Sequence, residues 1–114
     1  MLKKKLKDHA LSRKVRYGKC GTPPDVLTDF IKAASRAAES MPREQCRQVH
    51  IEMLELIRET VCDSLIARCW RGWCLDHSYI PLAKVRQLSW TESEKRELMQ
   101  LEKEMRFLSR YFLP

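Results

Sequence analysis

The scarcity of glycine constrains the fold of this chain more than any other feature. The three glycines are Gly18, Gly21 and Gly72, so that residues 22–71 and 73–114 contain none. Because glycine is a strong breaker of regular structure, these two intervals leave room for long helices. Apolar residues recur through them at spacings of three and four, and no alternating β-branched segment of strand length is present. The sequence therefore predicts an all-α protein.

The first two predicted helices occupy residues 24–41 and 42–70. The apolar stripe of the first consists of Leu27, Phe30, Ile31, Ala34, Ala38 and Met41. Pro42 separates the two helices, because proline is tolerated in the first turn of a helix but not in its interior. The second helix would be about 43 Å long at about 1.5 Å per residue, and would form the centre of the fold. Gly72 is expected to follow its end.

The rest of the chain is predicted to form a connector and one or two further helices. The connector covers residues 73–79, and a short helix over residues 82–88 is opened by Pro81. A last helix begins near Thr91, because Thr91 and Glu94 have the spacing of a capping box. We therefore expect a compact bundle of three or four helices around a long central helix.

The net charge is concentrated in the first twenty residues. They contain eight of the 22 lysines and arginines against a single acid, Asp8, whereas residues 21–114 contain 14 basic and 14 acidic side chains. Glycine and proline cluster between residues 18 and 24, where a break in regular structure is expected. We therefore predict a flexible basic N-terminal arm over residues 1–20 and a helical domain over residues 21–114.

The basic arm has the composition of a polyanion-binding segment. Lysine and arginine neutralise phosphates and release counterions, and a neighbouring tyrosine can stack on an exposed base. The residues predicted to bind nucleic acid, either RNA or DNA, are Lys3, Lys4, Lys5, Lys7, Arg13, Lys14, Arg16, Tyr17 and Lys19. A nuclear import signal and a solubilising tail are the alternatives. A membrane surface is the least favoured ligand, because the apolar residues of the arm are few and small.

Two further features could serve a protein partner. Trp70, Arg71 and Trp73 lie close together, and large aromatic residues and arginine dominate interface energetics. We favour the alternative that both rings cap the core, and we expect Trp90 to pack as well. The last helix has a heptad pattern that could dock on the bundle or form a homodimer. Its members are Leu98, Leu101, Met105, Leu108 and Phe112.

The five cysteines predict free thiols. Their number is odd and no export signal accompanies them, which favours a reducing intracellular compartment, the cytoplasm or the nucleus. Cys62, Cys69, Cys74 and His77 offer the ligand types of structural zinc. Over these sixteen residues their spacing, C-x6-C-x4-C-x2-H, resembles the CCCH zinc-finger family, whose intervals run somewhat longer. The resemblance implies a zinc site, whereas helical spacing favours buried thiols and no cofactor.

The remaining patterns exclude several functional classes. The sequence has no glycine-rich phosphate loop, nucleophile elbow or HExxH motif, so no enzymatic activity is predicted. We expect a non-enzymatic regulatory or accessory protein that binds nucleic acid through its basic arm, with the body used for oligomerisation or partner binding. The alternative is a helical protein-interaction module, an adaptor or inhibitor, in which the arm serves only localisation or solubility.

Overall fold

The structure is a computed structural model that describes residues 10–113. Within this range it contains six helices and no strand, which confirms the all-α prediction. The helices are α1 (Ser12–Arg16), α2 (Asp25–Glu39), α3 (Arg43–Val61), α4 (Arg68–Asp76), α5 (Tyr79–Leu88) and α6 (Glu92–Phe112). None of these helices is both long and apolar enough to cross a bilayer.

Helix α3 is the central element, and each of the other five helices packs against it. Its buried apolar residues extend over more than half of the helix circumference, from Leu56 on one side to Ile51 on the other. Met53, Leu54, Ile57 and Val61 are all at most 1% exposed. A helix that is apolar on more than one side is stable only when neighbours cover those sides. The remaining helices bury their own apolar stripes in doing so.

The long central helix predicted over residues 42–70 ends at Val61. The Asp63 Oδ1 accepts a hydrogen bond from the backbone N–H of Leu65 at 2.9 Å, a local turn that competes with helix continuation. Leu65, which lies within the predicted helix over residues 42–70, is therefore in a turn and is 92% exposed. A separate helix, α4, then begins at Arg68 and runs through Gly72, so the predicted connector over residues 73–79 is also wrong.

The predicted start of the last helix is confirmed in detail. The Thr91 hydroxyl accepts a hydrogen bond from the Glu94 N–H, and the Glu94 carboxylate accepts one from the Thr91 N–H. The hydrogen bonds that the carboxylate accepts from the Thr91 and Trp90 N–H groups, together with an ion pair with Arg43, lower the pKa of Glu94 to about 2. The capping box therefore places a charged carboxylate at the start of α6.

Arginines of α3 fix α6 on the body. Arg47 is buried, and its guanidinium donates to the Ser89 hydroxyl, the Glu94 carbonyl and the Glu97 carboxylate at 2.7–3.0 Å. Arg58 pairs with Glu104 at 3.2 Å. A buried charge is tolerated when its hydrogen bonds are satisfied, as they are at Arg47. These contacts set the rotation of α6 about its own axis.

The predicted flexible arm is, over residues 10–20, part of the packed body. Val15 of α1 is fully buried, and its carbonyl accepts a hydrogen bond from the Trp70 indole Nε1–H at 2.6 Å. Gly18 is buried directly against the same indole ring. The apolar Val15 and the absence of a side chain at Gly18 explain why this segment docks despite its charge. The flexibility predicted for the arm therefore does not extend over residues 10–20.

Gly18→Ala tests the docking of this segment. A Cβ at position 18 would overlap the Trp70 ring, whereas one at Gly21 or Gly72 would meet no atom within 4 Å. We expect Gly18→Ala to lower the free energy of unfolding by about 1–3 kcal/mol. Gly72→Ala lies within α4 and should raise it by up to about 1 kcal/mol. Urea unfolding of both variants gives the comparison, and an unchanged stability for Gly18→Ala would contradict the packing.

His50 is a buried polar residue without a partner. It lies on α3, is 3% exposed, and neither ring nitrogen has a hydrogen-bond partner in the described structure. Burial, with a smaller contribution from the positive charge of Lys84, lowers the pKa of His50 from 6.5 to about 4. The folded protein therefore holds this imidazole in its neutral form.

A lower pH should destabilise the protein, because unfolding allows His50 to take up a proton. The pKa of His50 is 6.5 in the unfolded chain and about 4 in the folded chain. The neutral imidazole therefore costs no stability above pH 6.5, and the free energy of unfolding falls as the pH is lowered from 6.5 toward 4. We expect the free energy of unfolding to be about 2 kcal/mol lower at pH 5 than at pH 7.5, a range in which most carboxylates remain charged. Urea unfolding at both pH values measures it. In His50→Leu the same loss should be absent, and an equal loss in both proteins would contradict this assignment.

Candidate functional site

The described cations of the N-terminal segment divide into exposed and paired groups. Arg13, Lys14 and Lys19 are exposed and form no ion pair among residues 10–113. Arg16 is different, because its guanidinium donates to the Asp63 carboxylate at 2.9 Å. That bond is the main reason that the pKa of Asp63 is lowered. Arg16, which was predicted to bind phosphate, is therefore already paired with a carboxylate, whereas Lys3, Lys4, Lys5 and Lys7 lie outside the described residues.

Tyr17 keeps an exposed ring beside these cations. It is 62% exposed, and the Arg16 guanidinium carbon lies 5.0 Å from the ring centroid. This cation–π contact orients the ring without covering it completely. Arg13 and Lys14 of α1, and Tyr17 directly after it, therefore face solvent while Val15 of the same helix is anchored in the core.

A disulfide ties the end of this segment to α4. Cys20 and Cys69 are joined across 49 positions of the sequence, with their Cα atoms 5.7 Å apart. The predicted free thiols are therefore wrong for this pair, whereas Cys46, Cys62 and Cys74 are free. The pairing follows from the docking of residues 10–20, because Gly18 contacts Trp70, the neighbour of Cys69. Sequence spacing alone contains no signal for this contact.

The candidate zinc ligands are not brought together. Cys69 is bonded to Cys20, and Cys74 is fully buried, which raises the pKa of its thiol to about 12. Cys62 is exposed in the turn after α3, and the His77 Nδ1 contacts the Trp73 carbonyl at 2.8 Å. Within residues 10–113 no three His, Cys, Asp or Glu side chains are arranged to hold a metal ion.

The three tryptophans have three different environments. Trp70 is 3% exposed and belongs to the core. Trp73 is half-buried, and its ring centroid lies 4.1 Å from that of His77. It lines an open cleft of about 190 Å³ beside the Cys20–Cys69 disulfide. Trp90 was expected to pack but is 65% exposed, with the Arg43 guanidinium carbon 4.5 Å from its ring centroid. Only Trp73 and Trp90 therefore remain accessible to a partner.

Arg71 has a structural role. Its guanidinium donates to the Ile66, Val61 and Phe112 carbonyls at 2.9–3.4 Å. These bonds close the turn between α3 and α4 and attach the end of α6 to it. The prediction that Arg71 contacts a partner is therefore not supported by its geometry.

The heptad of the last helix docks on the body. Leu98, Leu101, Met105 and Leu108 are 4–8% exposed and belong to the hydrophobic core, whereas Phe112 is 37% exposed. The four buried residues are inaccessible to a second copy while α6 stays docked, so their assignment to a partner interface is corrected. A homodimer that uses them would have to detach α6.

The opposite side of α6 is a feature that the sequence interpretation missed. Its exposed basic and large apolar residues between positions 96 and 111 are Arg96, Met99, Lys103, Arg106, Phe107, Arg110 and Tyr111, which we call the α6 outward face. Phe107 and Tyr111 stack on each other with ring centroids 4.1 Å apart. The signal was present, because bases and acids of this helix recur on different sides at a period of 3.6 residues, but the equal totals concealed it.

Comparison with protein-family models, with curated proteins and with solved structures finds no significant match. The functional interpretation of these surfaces therefore depends on their chemistry alone.

Removal of the disulfide should destabilise the protein. We expect Cys20→Ser/Cys69→Ser to lower the free energy of unfolding by about 2–4 kcal/mol, because the bond constrains a long loop in the unfolded chain. Cys62→Ser, at an exposed free thiol, is the control and should have little effect. Thermal unfolding with and without reductant provides the measurement. A wild-type melting temperature that reductant leaves unchanged would contradict the bond.

Proposed function

We propose that the protein is a non-enzymatic nucleic-acid-binding protein with a regulatory or accessory role. Phosphates would be contacted by Lys3, Lys4, Lys5, Lys7, Arg13, Lys14 and Lys19, and Tyr17 would stack on an exposed base. Arg16 is removed from the contact set because Asp63 already pairs with it. The helical body would provide a rigid base and a surface for oligomerisation or for a protein partner.

The observation that carries this proposal is the fixed position of α1. Val15 and the Cys20–Cys69 disulfide hold the segment on the body while Arg13, Lys14 and Tyr17 remain exposed. Cations on an ordered segment lose less conformational entropy on binding than cations on a free chain. Because these charges have no acidic partner among residues 10–113, they can neutralise phosphates without breaking an ion pair.

Nucleic acid as the ligand implies an intracellular location, in the cytoplasm or the nucleus. Such compartments reduce most disulfides, so we propose that the Cys20–Cys69 bond coexists there with its dithiol form. Val15 and Trp70 would keep the segment docked in the dithiol form, because their contact does not involve the thiols.

A protein-interaction module is the alternative function, and the cleft beside Trp73 favours it. Lys19, Pro24 and Trp73 line this cleft, so that an aromatic ring and a cation face the same opening. Such residues are common in protein interfaces. The volume of about 190 Å³ is below the usual range for small-molecule sites, which favours a peptide side chain as the occupant.

Charge-neutralising variants test the proposed function. A deletion of residues 1–20 is unsuitable because it would also remove Val15 from the core and Cys20 from the disulfide. We expect Arg13→Gln/Lys14→Gln to weaken binding to a labelled duplex and to reduce the slope of log K against log salt by roughly 0.9 for each phosphate that is no longer neutralised. Lysine-to-glutamine changes at positions 3, 4, 5 and 7 should reduce the slope further. Fluorescence anisotropy at several salt concentrations measures both effects.

The matched control is Lys32→Gln/Arg36→Gln, which removes two exposed cations from α2. It should leave the slope close to that of the wild type. Equal affinity and slope in the control and in all N-terminal variants would exclude the proposed contact set. Binding of a protein partner that is insensitive to nuclease and lost in Trp73→Ala would support the interaction module instead.

A further inference from the structure

The α6 outward face is a continuous stripe of cations and apolar side chains. At 3.6 residues per turn, the residues from Arg96 to Arg110 on this face fall within about 100° of the helix circumference and extend for about 21 Å along the axis. All of them are exposed, and they lie opposite the buried positions Leu98, Leu101, Met105 and Leu108. Because those four residues fix the orientation of the helix, the stripe has to face solvent.

The ion pairs that hold α6 on the body use its acidic side chains and leave most of its basic side chains exposed. Glu97, Glu102 and Glu104 pair with Arg47, Arg86 and Arg58 of the body. Arg96, Lys103, Arg106 and Arg110 have no acidic partner among residues 10–113, and Glu92, the exposed acid of the first turn, pairs with Lys95. Lys103, Arg106 and Arg110 also follow one another at spacings of three and four, where like charges repel. An anionic ligand would relieve that repulsion.

The aromatic residues of the stripe remain accessible. Phe107 and Tyr111 stay 51% and 67% exposed although their rings are stacked on each other. Met99, two turns earlier, is 67% exposed. Exposed aromatic rings interleaved with cations are typical of surfaces that bind single strands, because every unpaired base offers a face for stacking.

We propose that the α6 outward face binds single-stranded nucleic acid. Arg96, Lys103, Arg106 and Arg110 contact phosphates, and unpaired bases stack on the rings of Phe107 and Tyr111. The inference rests on the proposed nucleic-acid function, but it concerns a different surface and names the class of ligand. Duplexes meet the same cations but leave the rings unused, since their bases are already stacked.

The composition of the stripe distinguishes this ligand from two others. A second copy of the same face would bring four cations against four, so charge excludes self-association through it. A membrane-bound helix needs a contiguous apolar face, whereas here Lys103 lies between Met99 and Phe107, which are about 12 Å apart along the axis. Charge complementarity and stacking are both available with a single strand.

Two pairs of substitutions test the proposal on the full chain. Arg106→Gln/Arg110→Gln removes two cations at a spacing of four residues, and Lys32→Gln/Arg36→Gln is its control with the same spacing and charge change. Phe107→Leu/Tyr111→Leu removes the rings but keeps apolar side chains with good helix propensity. Tyr79→Leu, at another exposed tyrosine, is the control for it. Circular dichroism and thermal unfolding should be unchanged in all four, because the residues are exposed.

Anisotropy with labelled oligothymidylate, with a duplex of equal length and with phosphatidylcholine–phosphatidylserine vesicles gives the measurement. We expect the leucine variant to bind oligothymidylate about tenfold or more weakly, with duplex affinity unchanged. The cation variant should reduce the salt slope for the single strand by roughly 0.7 for each phosphate that it leaves without a cation. Both controls should match the wild type.

The outcomes separate this inference from the proposed function. If both α6 variants bind like the wild type while Arg13→Gln/Lys14→Gln weakens binding, the inference is overturned and the proposed function stands. The reverse result overturns the N-terminal contact set and supports the α6 outward face. Vesicle binding that depends on Phe107 and Tyr111, without oligothymidylate binding, would make the stripe a membrane contact and overturn the inference. If the wild-type protein binds neither oligothymidylate nor the duplex, both this inference and the proposed function are overturned.

Discussion

The burial of α3 is the constraint on which the other elements of this protein depend. Each of the five remaining helices packs against it, and its residues Met53, Leu54, Ile57 and Val61 are almost completely inaccessible to solvent. No single neighbour could cover a helix that is apolar in several directions, so α1, α2, α4, α5 and α6 have to surround it. The docking of α1 follows from the same requirement, because Val15 is a fully buried member of this core. A short, highly charged segment thereby becomes part of the fold.

The ion pairs around α3 also decide which charges remain available for function. Arg43, Arg47 and Arg58 leave α3 on the side that faces α6, and each reaches a glutamate of that helix. Exposed ion pairs contribute little to stability, but each guanidinium nitrogen of the buried Arg47 has a partner, and this charge would be costly to leave unpaired. Glu94, Glu97, Glu102 and Glu104 of α6 therefore pair with arginines of the body, whereas the unpaired cations of this helix face the solvent. At α1 the Asp63 carboxylate pairs with Arg16. Arg13 and Lys14 have no acidic partner among residues 10–113 and face the solvent.

The sequence predicted those parts of the structure that depend on local interactions. Helical periodicity gave the all-α class, and the spacing of Thr91 and Glu94 predicted the start of α6, because a capping box is made within four residues. The end of α3 was missed because the side-chain turn at Asp63 outweighs an apolar pattern that continues beyond it. Contacts between distant residues were not predictable from spacing, so the Cys20–Cys69 bond and the burial of Val15 against Trp70 became apparent only in the structure. Trp90 shows the converse error, since a large aromatic side chain can be held at the surface by a cation such as Arg43.

The electroneutrality of residues 21–114 concealed the α6 outward face for a physical reason. A ligand at the surface responds to charges within about 10 Å at ordinary ionic strength, whereas a net charge is summed over the whole body. The principal extents of the described structure are 37 × 31 × 20 Å, so acids on its far side are screened from a ligand bound along α6. Arg96, Lys103, Arg106 and Arg110 can therefore act as a cationic surface although the body as a whole carries no net formal charge. Local charge separation, produced by the way one helix is anchored, is the property that makes this surface suited to an anionic partner.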